Sequence, residues 1–405
     1  MTVRFLLSLA LSCGWTLRQL DVHNAFLNGR LSETVFMRQP PRYADSIHPD
    51  YVCHLQRSLH GLKQDPRAWF KRLHDFLVSV GFKSSKTDVL LFFYSVGDSH
   101  VFLLIRDLGS PWFFLSIETV PIDGGMILSQ RMYMDSILKR AGMTDCKNLA
   151  TLAFVTRSES SNALFENPTL YQSLAGALQY LTVTRPDLSY AVNRLCQFMY
   201  SPTVEHWGLL KRMLRYVKGT LHLGLQLAPS VSTDLHAFLD FDQAGCSIEK
   251  KSTSGFAVFV GFNLVSWVCR KQRTVARLFT EAEYKAIVDV IAEVTWIVSL
   301  LREIGFPPIS PPRLWCDNLD ATYLCANLVF HARTKHVEID FHFVRDKVAS
   351  GELQVNFIYT KEQLADIFTK SLPASRLSFF GTSSMLRLPN LVLDGVYKTL
   401  VLYFY

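Results

Sequence analysis

No two aspartates stand next to each other anywhere in this chain of 405 residues, and no two cysteines are spaced as Cys-x-x-Cys. The cysteines, Cys13, Cys53, Cys146, Cys196, Cys246, Cys269, Cys316 and Cys325, are scattered without paired spacing. That excludes a zinc knuckle and a small disulfide framework, and it fits reduced thiols in a cell interior. Charge is sparse: Asp, Glu, Lys and Arg make up 19% of the residues, against 49% hydrophobic ones. That balance excludes intrinsic disorder for the bulk of the chain. Apolar runs long enough to span a bilayer are also missing. Residues 5–15 (FLLSLALSCGW), behind Arg4, have the outline of a signal peptide. Their helical spacing at Leu6, Leu9 and Ala10 suits a helix packed on a domain instead. The expectation is a protein without a membrane segment, in the cytoplasm or nucleus.

What is present is length and a modest positive balance. A chain of 405 residues can bury two or three cores, and a net charge of +7 allows a polyanionic partner. Residues 1–150 mix short alternating runs with helical ones, and residues 153–170 turn polar, as a linker does. Three helical stretches then follow as far as residue 220, completing a connection over residues 151–232. Residues 233–375 give a clear order of elements. HAFLDFD is a strand, and GFAVFVG and LVSWVCRK form a hairpin across Phe262-Asn263. A long helix over residues 280–304 opens on a Thr280/Glu283 capping box. RLWCD is a strand, residues 318–327 and 335–350 are helices, LQVNFIY is a strand, and residues 363–372 form a last helix. The order βββαβααβα predicts a mixed sheet with helices on both faces, followed by a tail over residues 376–405.

Four acids fall at strand ends or helix starts in this region: Asp240, Glu283, Asp317 and Asp366. Such positions on one edge of a sheet can converge. Converged carboxylates raise one another's pKa unless a cation neutralises them, and hard Mg²⁺ takes oxygen ligands. The cluster would suit two-metal hydrolysis of a phosphodiester. Each acid also has a plainer reading. Glu283 can complete its capping box, Asp317 can cap the helix after it, and Asp366 can oppose a helix dipole behind Thr360 and Gln363. Asp240, at the end of an apolar strand, is harder to account for in that way. His336 and His342 do not share a helix face, and both read as structural.

These residues resemble the RNase H domain of copia-type LTR retrotransposon polyproteins. The stretches FLDFDQAGCSIEKKSTSGFAVFVGFNLVSW, FTEAEYKAI, LWCDN, FHARTKHVEIDFHFVRDKV and TKEQLADIFTKSLP follow one another in family order. The resemblance implies that Asp240, Glu283, Asp317 and Asp366 stand where the family's metal-binding carboxylates stand. It also implies two Mg²⁺ ions and hydrolysis of the RNA strand of an RNA–DNA hybrid, with no small-molecule cofactor. Departures fall beside the site: Leu239-Asp-Phe-Asp-Gln-Ala-Gly245 replaces the family's Ser-Asp-Ala-Asp-Trp-Ala-Gly, and Asn318-Leu-Asp320 replaces its Asn-Gln-Ser.

The earlier part resembles the same family's reverse transcriptase, so the expected fold is a partial palm- and thumb-like region followed by an RNase H-like domain. RQLDVHNAFLNGRLSETVFMRQPP is similar to the first palm motif, with Asp21 at the place of a metal ligand. LHGLKQDPRAWF, residues 59–70, is similar to the motif that positions template and incoming nucleotide, with Asp65 where the family usually has Ala. The family's Tyr-Val-Asp-Asp hairpin is not found after HVFLLI: between Val101 and Ile117 the only acid is Asp107. Two-metal nucleotide transfer needs at least two converging carboxylates, so the polymerase half is expected to be inactive, as a vestige that also lacks most of its fingers. Lys211, Arg215 and Lys218 share a helix face with Trp207 and could grip a phosphate backbone, or could form an ordinary solvated face. The expectation is an RNase H-type nuclease beside a dead polymerase. The alternative is a catalytically inactive relic that at most binds nucleic acid.

Overall fold

The computed structural model describes residues 1–21, 30–57, 59, 65–97, 99–106, 117–152, 163–242, 251–272, 279–326, 338–373, 376, 386–387 and 398–404. Contacts divide the chain into two units, Trp15–Phe114 with Val396–Tyr405, and Met1–Gly14 with Leu115–Gly395.

The first unit holds a sheet of strands Trp15–Asp21, Lys398–Phe404, Ser99–Arg106, Leu91–Val96 and Lys83–Ser84, in that spatial order. Strand Lys398–Phe404 runs parallel to both of its neighbours, so these last residues, set apart in sequence as a tail, are an inner strand. Helix Asp65–Ser79 shares a core of Trp69, Leu77, Phe92, Leu103 and Ile105 with the sheet.

The second unit begins with helix Thr2–Ser12, whose Phe5, Leu6, Leu7, Leu9 and Ala10 are buried. Its serine side is used as well: Asn263 Nδ2 donates to Ser8 Oγ at 2.7 Å, and the Ser230 N–H donates to Ser12 Oγ at 3.0 Å. The apolar opening stretch is thus a packed helix. Among the described residues, no helix is long and apolar enough to cross a membrane.

Helices Arg131–Arg140, Pro168–Leu181, Ser189–Cys196 and Val204–Gly219 share one apolar core, with Tyr171, Leu174, Leu178, Leu181, Leu210, Met213 and Leu214 among its buried residues. Asn167 caps the second of these by accepting from the Leu170 N–H at 2.9 Å.

This unit also holds a four-stranded sheet, Leu386–Arg387, Gly224–Leu227, Gly125–Ser129, Glu118–Ile122. Its other sheet has five strands in the order Asn263–Lys271, Thr253–Val260, Leu235–Asp242, Arg313–Cys316, Gln354–Phe357. The first three strands are antiparallel, and the last two run parallel to the central strand Leu235–Asp242. The expected order of strands and helices holds through strand Gln354–Phe357, with helices Phe279–Glu303, Leu319–Ala326 and Glu338–Ala349 in their places. Three details differ. The hairpin turns on Gly261-Phe262, where Gly261 has φ of 56°, and Asn263 opens the next strand. The long helix begins at Phe279, so Thr280 lies inside its first turn and not at the cap. Residues 363–372 are not a helix: 3-10 turns cover Thr360–Glu362 and Leu364–Phe368. Gln363 is responsible, since its buried side chain donates to the Leu239 carbonyl at 2.9 Å and accepts from the Ala365 N–H at 3.1 Å. A regular helix would pull this amide off the sheet.

Candidate carboxylate site at the sheet edge

Strand pairing places two acids side by side. Leu239 of the central strand is the register partner of Cys316, so Asp240 and Asp317 are the next residues on adjacent parallel strands. Such neighbours open at the carboxyl ends of the strands, where α/β sheets present their ligand sites. On the antiparallel side Asp240 pairs with Gly255, and Gly255 pairs with Cys269. The three therefore share one face. The opposite face, with Ala237, Val258 and Ser266, meets the long helix through a hydrogen bond from the Ser266 hydroxyl to Glu293.

Gly255 is what lets the last element reach Asp240. A Cβ there would stand 2.5 Å from Phe368 Cβ and 3.0 Å from Thr369 Cγ2. The 3-10 turn Leu364–Phe368 thus lies directly on the sheet and carries Asp366, Thr369 and Lys370 to the edge. The Thr369 hydroxyl donates to Asp240 Oδ2. Lys370 Nζ lies 3.1 Å from Asp240 Oδ2 and 2.8 Å from Asp366 Oδ1. Arg376 Nη2 lies 2.9 Å from the other oxygen of Asp366 and donates to the Thr360 carbonyl at 3.1 Å. The Thr360 hydroxyl donates to Asp317 Oδ2 at 3.1 Å, so Thr360 steadies an acid instead of capping a helix.

Asp240 and Asp366 are each only 4% exposed. Burial pushes the Asp240 carboxyl up to about 7; Lys370 and the Thr369 hydroxyl pull it down, while Asp366 and Asp317 add to the rise. Two of the other three expected acids thus act on Asp240. Burial works against the Lys370 ammonium, but the two carboxylates outweigh it and hold its pKa above the ordinary lysine value. Asp242 is also raised, by burial first, against Lys370 and Arg194. An open cleft faces solvent here, lined by Asp240, Phe241, Asp317, Asn318, Asp320 and Lys370 among others. Phe241, the departure beside Asp240, is 8% exposed and fits the apolar side of its strand.

Glu283 lies early in the helix Phe279–Glu303, and its side chain is outside the described residues, as is His336. Asp21 closes strand Trp15–Asp21, opposite Phe404, and its side chain is likewise outside them. His342 sits on helix Glu338–Ala349 and is not among the described residues that line the cleft. Of the basic helix face, Lys211 and Arg215 are exposed, with Lys211 Nζ 5.9 Å from the centre of the Trp207 ring. Lys218 instead donates to the Cys146 carbonyl at 2.8 Å.

Among the described residues, no three His, Cys, Asp or Glu side chains close to the spacing of a formed metal site. The donor set nevertheless fits a hard divalent cation. It consists of carboxylate oxygens on one edge, and the place between Asp240 and Asp366 already holds a positive group, the Lys370 ammonium. Lys370, Arg376, Gly255 and Gln363 are site residues that the acid count missed. The i,i+4 spacing of Asp366 and Lys370 was the visible signal for the first of them.

The family described as reverse transcriptase (RNA-dependent DNA polymerase) matches residues 1–106. The chain is 41% identical over 408 residues to the retrovirus-related Pol polyprotein from transposon RE2 of Arabidopsis thaliana, covering 93% of this chain and 28% of that one. For transposon RE1 of the same plant the identity is 42%, with the same coverage. An uncharacterized mitochondrial protein of Arabidopsis thaliana is 46% identical over 193 residues, 47% of this chain and 80% of that one. Among solved structures, a foamy viral protease-reverse transcriptase in complex with RNA/DNA hybrid overlaps 96% of this chain and 48% of its own, at 13% identity and a TM-score of 0.43.

A reverse-transcriptase-like region followed by an RNase H-like mixed sheet, with acids at the ends of two parallel neighbours, defines the class of protein. The chain belongs to the copia-type LTR retrotransposon Pol polyproteins. It spans 28% of the length of the Pol polyproteins it matches.

Proposed function

We propose that the RNase H-like domain hydrolyses the RNA strand of RNA–DNA hybrids with Mg²⁺, and that the reverse-transcriptase half does not synthesise DNA. The observation that carries this reading is the buried Asp240 beside Asp317 at the carboxyl ends of adjacent strands, with Asp366 brought to it by the 3-10 turn Leu364–Phe368.

Three acids and one lysine are among the groups lining the cleft, so on their own these side chains repel a phosphate backbone. Bound divalent cations would reverse that sign, activate a water and neutralise the leaving oxygen. Asp240 and Asp317 are the residues that would hold them, with Asp366 and Glu283 completing the set. Thr360 orients Asp317 and Thr369 orients Asp240. Gln363 and Gly255 fix the turn that carries Asp366. Choice of RNA over DNA then falls to recognition of the 2′-hydroxyl and of A-like helix shape. For the polymerase half, Asp21 is one carboxylate where at least two are needed, and the sequence offers no adjacent pair.

A second reading, a catalytically inactive nucleic-acid-binding relic, is favoured by the same ion pairs, because Lys370 and Arg376 already satisfy Asp366. Purified chain incubated with Mg²⁺ and a labelled hybrid separates the two. The expected result is cleavage of the RNA strand, abolished by Asp240→Asn. Wild-type cleavage no greater than that variant's leaves the relic reading. Primer extension on the same preparation is expected to give no product, and nucleotide incorporation would overturn the account of the polymerase half.

A further inference from the structure

Two buried carboxylates side by side are costly unless a cation compensates them. Asp240 and Asp366 are in that position, and they share the Lys370 ammonium at 3.1 and 2.8 Å. We propose that Lys370 is a resident counter-ion, which holds the cation position between Asp240 and Asp366 and is displaced into the cleft when a divalent metal loads. This rests on the metal-dependent reading above and adds to it a residue that sets metal affinity.

The two cations at the cluster differ in how firmly they are held. The Arg376 guanidinium is tied to the backbone carbonyls of Thr360 and Lys361 as well as to Asp366. It is a planar, multiply bonded strap, and its side chain is 27% exposed. Lys370 is anchored through its backbone, the N–H donating to the Asp366 carbonyl at 2.9 Å. Its side chain is a flexible stem ending in a point charge, 39% exposed and on the cleft wall. Arg376 therefore stays in place and Lys370 can leave. Among the described residues, Lys370 is the cation in ion-pair contact with Asp240. Its departure frees Oδ1 of Asp366 and takes the positive charge off Oδ2 of Asp240, which keeps the Thr369 hydroxyl as donor; a metal between these side chains would take that charge's place. The released ammonium keeps its place on the wall of the cleft, where it faces an incoming phosphate.

The test uses the intact chain. Acylation of lysine amines by acetic anhydride, read by mass spectrometry, is compared without metal and with saturating Mg²⁺. Lys370 is expected to react on the order of tenfold faster with Mg²⁺, as an amine released from two carboxylates, while the exposed Lys361 keeps its rate. Calorimetry supplies the second arm. Lys370→Met is expected to bind Mg²⁺ on the order of tenfold more tightly than wild type, since the competing charge is gone, and Lys361→Met is expected to match wild type. Without metal, Lys370→Met is expected to melt lower, with Mg²⁺ restoring it. Mg²⁺ binding that leaves Lys370 labelling unchanged, or equal tightening by Lys361→Met, overturns the exchange while leaving the metal site standing. Absence of Mg²⁺ binding in every variant overturns both the exchange and the metal-dependent reading.

Discussion

The guanidinium of Arg185 meets the carboxylate of Asp187 side on, Nε to Oδ1 at 2.9 Å and Nη2 to Oδ2 at 2.7 Å, and neither side chain reaches solvent. The Tyr216 hydroxyl donates to the same carboxylate at 3.0 Å, and Arg185 also donates to the carbonyl and hydroxyl of Thr220. The network joins the start of helix Ser189–Cys196 to the end of helix Val204–Gly219. Cutting one side of such a pair strands a buried charge. Asp187→Ala is expected to cost about 3–5 kcal/mol in urea unfolding, and Tyr216→Phe about 1.5–3 kcal/mol. The apolar pair Arg185→Met with Asp187→Leu should recover most of the first loss. A cost for Asp187→Ala no larger than that of Tyr216→Phe would show that the pair does not anchor these helices.

Gly255 and Gly208 give opposite expectations for the same substitution. At Gly255 an added Cβ would meet Phe368 Cβ at 2.5 Å, whereas at Gly208, inside helix Val204–Gly219, it meets nothing within 4 Å. Gly255→Ala is expected to destabilise by about 1–3 kcal/mol through overpacking. It should also weaken Mg²⁺ binding, because the displaced turn carries Asp366, Thr369 and Lys370. Gly208→Ala should stabilise by about 0.5–1 kcal/mol through helix propensity alone. Melting temperatures of the two variants check the signs. Equal shifts would mean that the turn is not seated on Gly255.

Those two glycines also mark where the sequence was legible. The alternation of LHAFLDFD and the helical period of the long helix depend on local burial, and both elements stand where pattern placed them. The acids at strand ends could be read because the strand order dictates which ends meet. The stretch after Tyr359 could not. It carries helical spacing, but Gln363 bonds to a carbonyl of another strand, and Phe368 needs the missing side chain at Gly255. Both are tertiary demands that override local propensity. The inner strand Lys398–Phe404 was hidden for a similar reason: its partners, Trp15–Asp21 and Ser99–Arg106, both lie in the first third of the chain.

Asp240 makes the metal-free protein sensitive to pH in a defined direction. Its carboxyl, ordinarily near 3.8, is raised to about 7, chiefly by burial. The folded state then holds this proton more tightly than the unfolded one. Its stabilising share is present below the ordinary value and is lost as pH rises through about 7. Melting in EDTA is therefore expected to weaken between pH 4 and pH 7 on account of this group, and Asp240→Asn should flatten that part of the profile. Saturating Mg²⁺ should flatten it as well, by favouring the ionised form. An unchanged profile in the Asn variant would assign the slope to other groups.

His206 works in the opposite direction, on helix Val204–Gly219. Its Nδ1 accepts from the Thr203 N–H at 3.1 Å while its own N–H donates to the Thr203 hydroxyl at 3.4 Å, closing a capping box, and its ring stacks on Phe198. Acceptance at Nδ1 requires the neutral ring. Burial lowers the His206 pKa first, Arg194 lowers it further, and Glu205 opposes them. Its contribution is complete above the unfolded value near 6.5 and is lost as pH falls through the lower folded value. The loss is bounded by the worth of a cap, about 1 kcal/mol. His206→Gln keeps an acceptor at this position and does not titrate. Melting curves at pH 7.5 and pH 5 are expected to separate less for the variant than for wild type, with similar stability at the higher pH. A variant as acid-sensitive as wild type would show that His206 does not act as a titratable cap.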